Sequence, residues 1–121
     1  MAVARRLRSS VDADDVTVRM HDARDLLRLL ETHDRIEESG LYPELDRAGV
    51  PTAHMQAEHH AVDAVLHAAA EPEPIEPGEV MRALDVLEEH IHREEYDLFP
   101  AAHQMIDDAG WDRIDRSSAG H

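Results

Sequence analysis

The feature that most constrains this chain is an internal repeat with an offset of 57 residues. The pattern His-x-x-x-Glu-Glu-x-x-Leu-[Tyr/Phe]-Pro occurs at residues 33–43 and again at residues 90–100. The apolar residues upstream of each His match at the same offset, and they recur every three or four positions. That spacing is typical of one face of an amphipathic helix. The repeat therefore predicts two equivalent helices that carry the same polar groups.

Proline and glycine divide the chain into helical segments. The predicted fold is an all-α, antiparallel up-and-down bundle of three long helices, completed to four by a partner chain or by the C-terminal segment. The long helices are expected at 12–39, 52–70 and 78–99, with a proline-rich linker at 71–77 and a short terminal helix at 101–109. Gly40 and Pro43 are expected to end the first long helix, and Pro100 is expected to stop or kink the third. The predicted domains are a disordered or short extension at 1–11, a helical domain at 12–109 and a tail at 110–121.

Composition excludes several classes of function. A net charge of −15 disfavours nucleic acid and anionic membrane surfaces, which both require basic residues. The absence of cysteine excludes disulfides, iron–sulfur clusters and thiolate zinc sites. No apolar run approaches the roughly 18 residues of a membrane span, and no secretory signal follows the N-terminal arginines. We therefore expect a cytoplasmic protein whose metal, if it binds one, is held by imidazole and carboxylate.

The repeated motif predicts a metal site inside the bundle. Residues four apart lie on one face of a helix, so His33 with Glu37, and His90 with Glu94, each present an imidazole and a carboxylate to one point. Both pairs lie on apolar faces, where an unpaired carboxylate costs several kcal/mol. His59 lies on the apolar face of the predicted second helix. We predict that these five residues bind iron, with manganese as the alternative, since helix bundles hold di-iron and di-manganese centres in this way.

The other histidines have weaker claims. His54 and His60 are alternative ligands, whereas His67 and His92 lie off the apolar faces and are expected to be solvated. A second interpretation stays open at this point. In it the histidines bind no metal, and the bundle is an interaction module.

The doubled motif, together with Glu58-His59, resembles the hemerythrin-like (HHE cation-binding) family over about residues 16–108. The resemblance implies a four-helix bundle around a non-haem di-iron centre, with Glu37 and Glu94 as bridges and the three histidines as terminal ligands. It implies binding or sensing of O₂, peroxide, NO or iron, or a peroxide-degrading enzyme at the same centre.

The family pattern begins with a further helix that carries a His ligand, and here only 11 residues precede the first motif helix. We expect the missing helix and its ligand to be replaced by a second copy in a homodimer, by the segment 101–109, by His54 or His60, or by water. Four residues after His59, where oxygen carriers of the family often have a second His, this chain has Asp63.

Overall fold

The computed structural model of the protein describes residues 2–119, with side chains described through residue 116. Within these residues the chain is helical and contains no strand. The helices are α1 (Ala2–Asp12), α2 (Val16–Ile36), α3 (Tyr42–Arg47), α4 (Ala53–Ala69), α5 (Pro77–Arg93), α6 (Phe99–Met105) and α7 (Asp108–Ala119). No described helix is both long enough and apolar enough to cross a membrane.

The N-terminal segment, predicted to be a disordered or short extension at residues 1–11, is a packed helix. Ala4, Leu7 and Val11 follow one another at helical spacing and are buried. On the outer side, Arg8 donates to Asp85 at 2.9 Å and to Glu88 at 3.2 Å. These residues are too few for a helix of bundle length, but 11 residues, about 16 Å of helix, suffice to cover one end of the core.

Four helices enclose the main core. Helix α1 packs against α2 and α5, α2 packs against α4, and α4 packs against α5. Leu7, Leu26, Leu66 and Leu84, one from each helix, are fully buried in the same hydrophobic cluster. The sequence predicted that a partner chain or the C-terminal segment would supply the fourth helix of the bundle. At this end of the molecule α1 supplies it.

The sequence repeat is also a repeat of backbone structure. Helices α2 and α5 each pass into a five-residue π turn, Glu37–Leu41 and Glu94–Leu98, and then into α3 and α6. Gly40 and Pro43 therefore do not end the first long helix as predicted, and Pro100 does not stop the third. The prolines lie in the first turn of α3 and α6, where a missing N–H is tolerated, and the wider turn before them leaves room for the ring.

The C-terminal segment closes the other end of the molecule. Ile106 and Ile114 pack with Leu41, Tyr42 and Leu45 in a second hydrophobic cluster. Residues 108–119 form α7, whereas the tail was predicted to be loose after Trp111, apart from Trp111 and Ile114. Residues 120 and 121 of the predicted tail lie outside the described part. Arg113 holds α7 to α3 through two bonds to the Glu44 carboxylate, at 2.6 and 2.8 Å.

Helix α4 and the linker before α5 agree with prediction. Thr52 is the N-cap of α4, and the segment after Ala70 is not helical until Pro77. Arg19 is buried and donates to the carbonyls of Ala69, at 3.0 Å, and of Glu71 and Glu73 in this linker.

Candidate metal centre

Four of the five predicted ligands meet between α2, α4 and α5. One donor atom from each of Glu37, His59, His90 and Glu94 lies within 4.8 Å of every other. All four residues are less than a tenth exposed. His33, the fifth predicted ligand, is exposed and lies outside this group, although it lines the same cavity.

The donor atoms are closely spaced. The Nε2 atoms of His59 and His90 are 2.8 Å apart, and His90 Nε2 is 2.7 Å from Glu94 Oε1. His59 Nε2 is 3.3 Å from Glu37 Oε2 and 3.8 Å from Glu94 Oε1. Donors about 2.1 Å from one ion lie about 3.0 Å apart at right angles. The spacing therefore fits a metal ion among these four residues.

Both imidazoles are oriented by carboxylates on their outer nitrogens. His59 Nδ1 is 3.2 Å from Glu38 Oε1, and His90 Nδ1 is 3.2 Å from Glu58 Oε1. Glu58 in turn accepts from Arg93. Because a carboxylate can only accept, each Nδ1 carries a proton and each Nε2 points inward. Histidine ligands are normally oriented in this way.

The first π turn brings a residue to the site that sequence reasoning missed. The wider turn places Tyr42 beside Glu37, five positions earlier, and the phenol lies 2.8 Å from Glu37 Oε2. The same oxygen lies 2.9 Å from Glu94 Oε1 and 3.2 Å from His59 Nε2. Tyr42 is fully buried. The signal was present in the Leu-[Tyr/Phe]-Pro end of the motif, but an α-helical period pairs Glu37 with Leu41.

Burial and mutual charge shift the acids and bases of the site. Burial lowers the pKa of His59, but Glu37, Glu94 and Asp34 outweigh it and raise the pKa to about 10. Burial likewise opposes the charged form of His90, whose pKa is nevertheless raised by Glu94. Burial and the neighbouring Glu94 raise the pKa of Glu37, whereas the two imidazoles overcome burial and lower the pKa of Glu94. Without a cation, the site therefore holds a proton on His59 at neutral pH.

Two imidazole nitrogens face each other at the centre of this cluster. If both Nδ1 atoms carry protons, the facing Nε2 atoms 2.8 Å apart require a shared proton or a metal cation between them. The donors are nitrogen and oxygen only, which suits iron or manganese. The residues present thus fit a bound metal cation.

A cavity of about 530 Å³ opens beside the donors. Its apolar wall consists of Leu30, Leu87, Ile91 and Phe99, and its polar wall includes His33, Asp34 and the four clustered donors. None of its lining residues comes from α1. The buried donors are thus approachable through this cavity.

The remaining predicted candidates lie on the surface. His54, His60, His67 and His92 are exposed, and none belongs to the buried donor group. His60 Nε2 is 3.7 Å from Glu38 and His54 Nε2 is 3.8 Å from Glu58, so both flank the outer carboxylates.

The fold and this centre define a helical protein with a buried His/Glu group compatible with metal binding. A family model described as the hemerythrin HHE cation binding domain matches residues 1–102. The chain therefore belongs to the hemerythrin HHE cation-binding domain family, and the match includes α1. Comparison with curated proteins and with solved structures gives no match.

Proposed function

We propose that this chain is a non-haem di-iron protein that binds or senses a small ligand of the class O₂, peroxide or NO. The observation that carries the proposal is the convergence of Glu37, His59, His90 and Glu94 at one buried point. Buried carboxylates and imidazoles are costly unless they are paired or bind a cation. Family membership makes a cation the expected occupant.

In this proposal Glu37 and Glu94 are shared carboxylates, and His59 and His90 are terminal ligands. His33 is the imidazole for a second ion, since it lines the cavity next to Glu37. Bound iron would supply redox chemistry and an open coordination position for the ligand. The chain holds His59 in one tautomer through Glu38 and His90 in the same tautomer through Glu58.

The cavity supports a small ligand. The cavity of about 530 Å³ adjoins the donor group and has room for a diatomic molecule or a peroxide, and its apolar wall suits an uncharged ligand. The manganese form remains the alternative metal state, because the same donors suit either ion.

Iron content of His33→Ala tests the two-ion arrangement. We expect the wild-type chain to bind about two iron ions, as di-iron bundles do, and the variant to retain about one. His60→Ala is the matched control, since His60 is 74% exposed in its side chain and lies beside a clustered donor. Equal iron content in all three proteins would exclude His33 as a ligand, and no iron in the wild type would exclude the function.

A peroxide-degrading enzyme is the second candidate, and Asp34 favours it. Asp34 lines the cavity, and its Oδ1 lies 3.5 Å from His59 Nε2. Burial raises the pKa of Asp34 to about 6, which suits a group that exchanges protons near neutral pH. Steady peroxide turnover by the iron-loaded protein that falls in Asp34→Asn would support the enzyme. A stable ligand complex without turnover would support binding or sensing.

The antiparallel up-and-down order of the helices, the homodimer and the cytoplasmic location stay predictions. Helix α1 removes one reason for a dimer, because it covers the core end of the bundle. The cavity side is what a second copy would cover. A monodisperse monomer in light scattering would contradict the dimer.

A further inference from the structure

We propose that the phenol oxygen of Tyr42 is itself a metal ligand, bound as phenolate beside the His and Glu donors. This inference rests on the proposed iron centre and adds to it a donor that the motif did not identify.

Position is the first argument. Tyr42 has no exposed surface, and its oxygen lies 2.8 Å from Glu37, 2.9 Å from Glu94 and 3.2 Å from His59. These separations match those expected between neighbouring donors about 2.1 Å from one ion. The phenol oxygen is thus as close to the donor group as its own members are to one another.

Hydrogen counting is the second argument. A phenol has one proton and donates to one acceptor, yet its oxygen contacts two carboxylates. The second contact requires a protonated carboxylate or a cation. A metal ion bound to all three oxygens satisfies every contact. On ligation the O–H bond of Tyr42 breaks, its proton leaves to water, and the oxygen lone pair forms the bond to the metal.

The two repeats differ at this position, which is the third argument. Phe99 is the equivalent of Tyr42, has no oxygen and is 40% exposed beside the cavity. One repeat therefore supplies an oxygen donor while the other supplies an apolar wall. In addition, α1 contains no His and does not reach the cavity, so no imidazole comes from that helix. Tyr42 supplies a donor from within the motif instead.

The test uses the visible absorption and resonance Raman spectra of the 121-residue chain loaded with ferric iron from a citrate complex. A phenolate bound to iron(III) gives a charge-transfer band and enhances the ring vibrations of tyrosine. The chain has two tyrosines, and the other, Tyr96, is 62% exposed. In Tyr96→Phe, any tyrosinate signal must come from Tyr42, so the result does not depend on how Tyr42→Phe folds.

We expect the band in the wild type and in Tyr96→Phe, and its loss in Tyr42→Phe with retention of some iron on the other donors. Iron uptake without the band in the wild type would overturn the role of Tyr42 and leave the iron centre standing. A band that survives Tyr42→Phe would also overturn it. Failure of the wild type to take up iron would overturn both proposals.

Discussion

Metal binding to this chain should release protons at pH values where ordinary histidines are already neutral. The Nε2 atom of His59 faces Glu37, Glu94 and Asp34 at 3.3, 3.8 and 3.5 Å. Burial opposes the imidazolium, but these carboxylates raise the pKa of His59 to about 10. A metal ion binds the unprotonated nitrogen, so the proton must leave when the ion enters.

The size of the effect follows from the two pKa values. An unperturbed His has a pKa near 6.5, so its competition with metal would end near neutral pH. Here the competition extends towards pH 10, and apparent affinity should rise about tenfold per pH unit for each proton displaced. At pH 7.5 we expect the release of at least about one proton per chain.

The assay is calorimetric titration with Mn²⁺ at pH 7.5 in two buffers of different ionisation enthalpy, repeated at pH 8.5. The difference in heat between buffers reports the number of protons released. His60→Ala should behave like the wild type, since that side chain is exposed. Equal heats in both buffers, with affinity constant between pH 7.5 and 8.5, would refute the reasoning.

Three further outcomes are expected. Leu7→Ala should lower the free energy of unfolding, measured in urea, by about 2–5 kcal/mol. The control Leu29→Ala, at a half-exposed position, should lower it by less than about 0.5 kcal/mol. Equally small losses in both variants would show that α1 is not part of the core. Glu58→Gln should weaken metal affinity about 10- to 100-fold through His90, and unchanged affinity would contradict the orienting role. Folding raises the pKa of His59 to about 10, so protonated His59 stabilises the metal-free protein. This stabilisation is complete below about pH 6.5 and is lost as the pH rises through about 10. A melting temperature that stays constant over this range would contradict the raised pKa.

The sequence predicted α4, the linker and most of the donor cluster because these depend on local patterns. Helical spacing places Met55, His59 and Val62 on one face, and all three are buried. The repeat likewise predicted equivalent helices, and the structure extends that equivalence to the two π turns.

The predictions from sequence failed in two situations. In one, the backbone departs from regular α-helical geometry; in the other, a helix too short to predict from its length is stabilised by packing against the core. Tyr42 was missed because α-helical spacing pairs Glu37 with the residue four positions later, whereas the π turn pairs it with the residue five positions later, Tyr42. Helix α1 was missed because a short segment was judged by length alone, whereas its buried Leu7 is stabilised by contacts with distant helices. His33 was placed on the inward face by spacing, but the chain leaves it exposed at the cavity.

The most direct test of the central claim is the iron content of Glu94→Ala compared with the wild type and with Glu89→Ala, measured by elemental analysis after anaerobic loading with iron(II). Glu94 is buried among the donors, whereas Glu89 lies five residues earlier, in α5, and is exposed. We predict that Glu94→Ala loses most of its iron and that Glu89→Ala matches the wild type. Full iron content in Glu94→Ala, or none in the wild type, would contradict the assignment of this site as an iron centre.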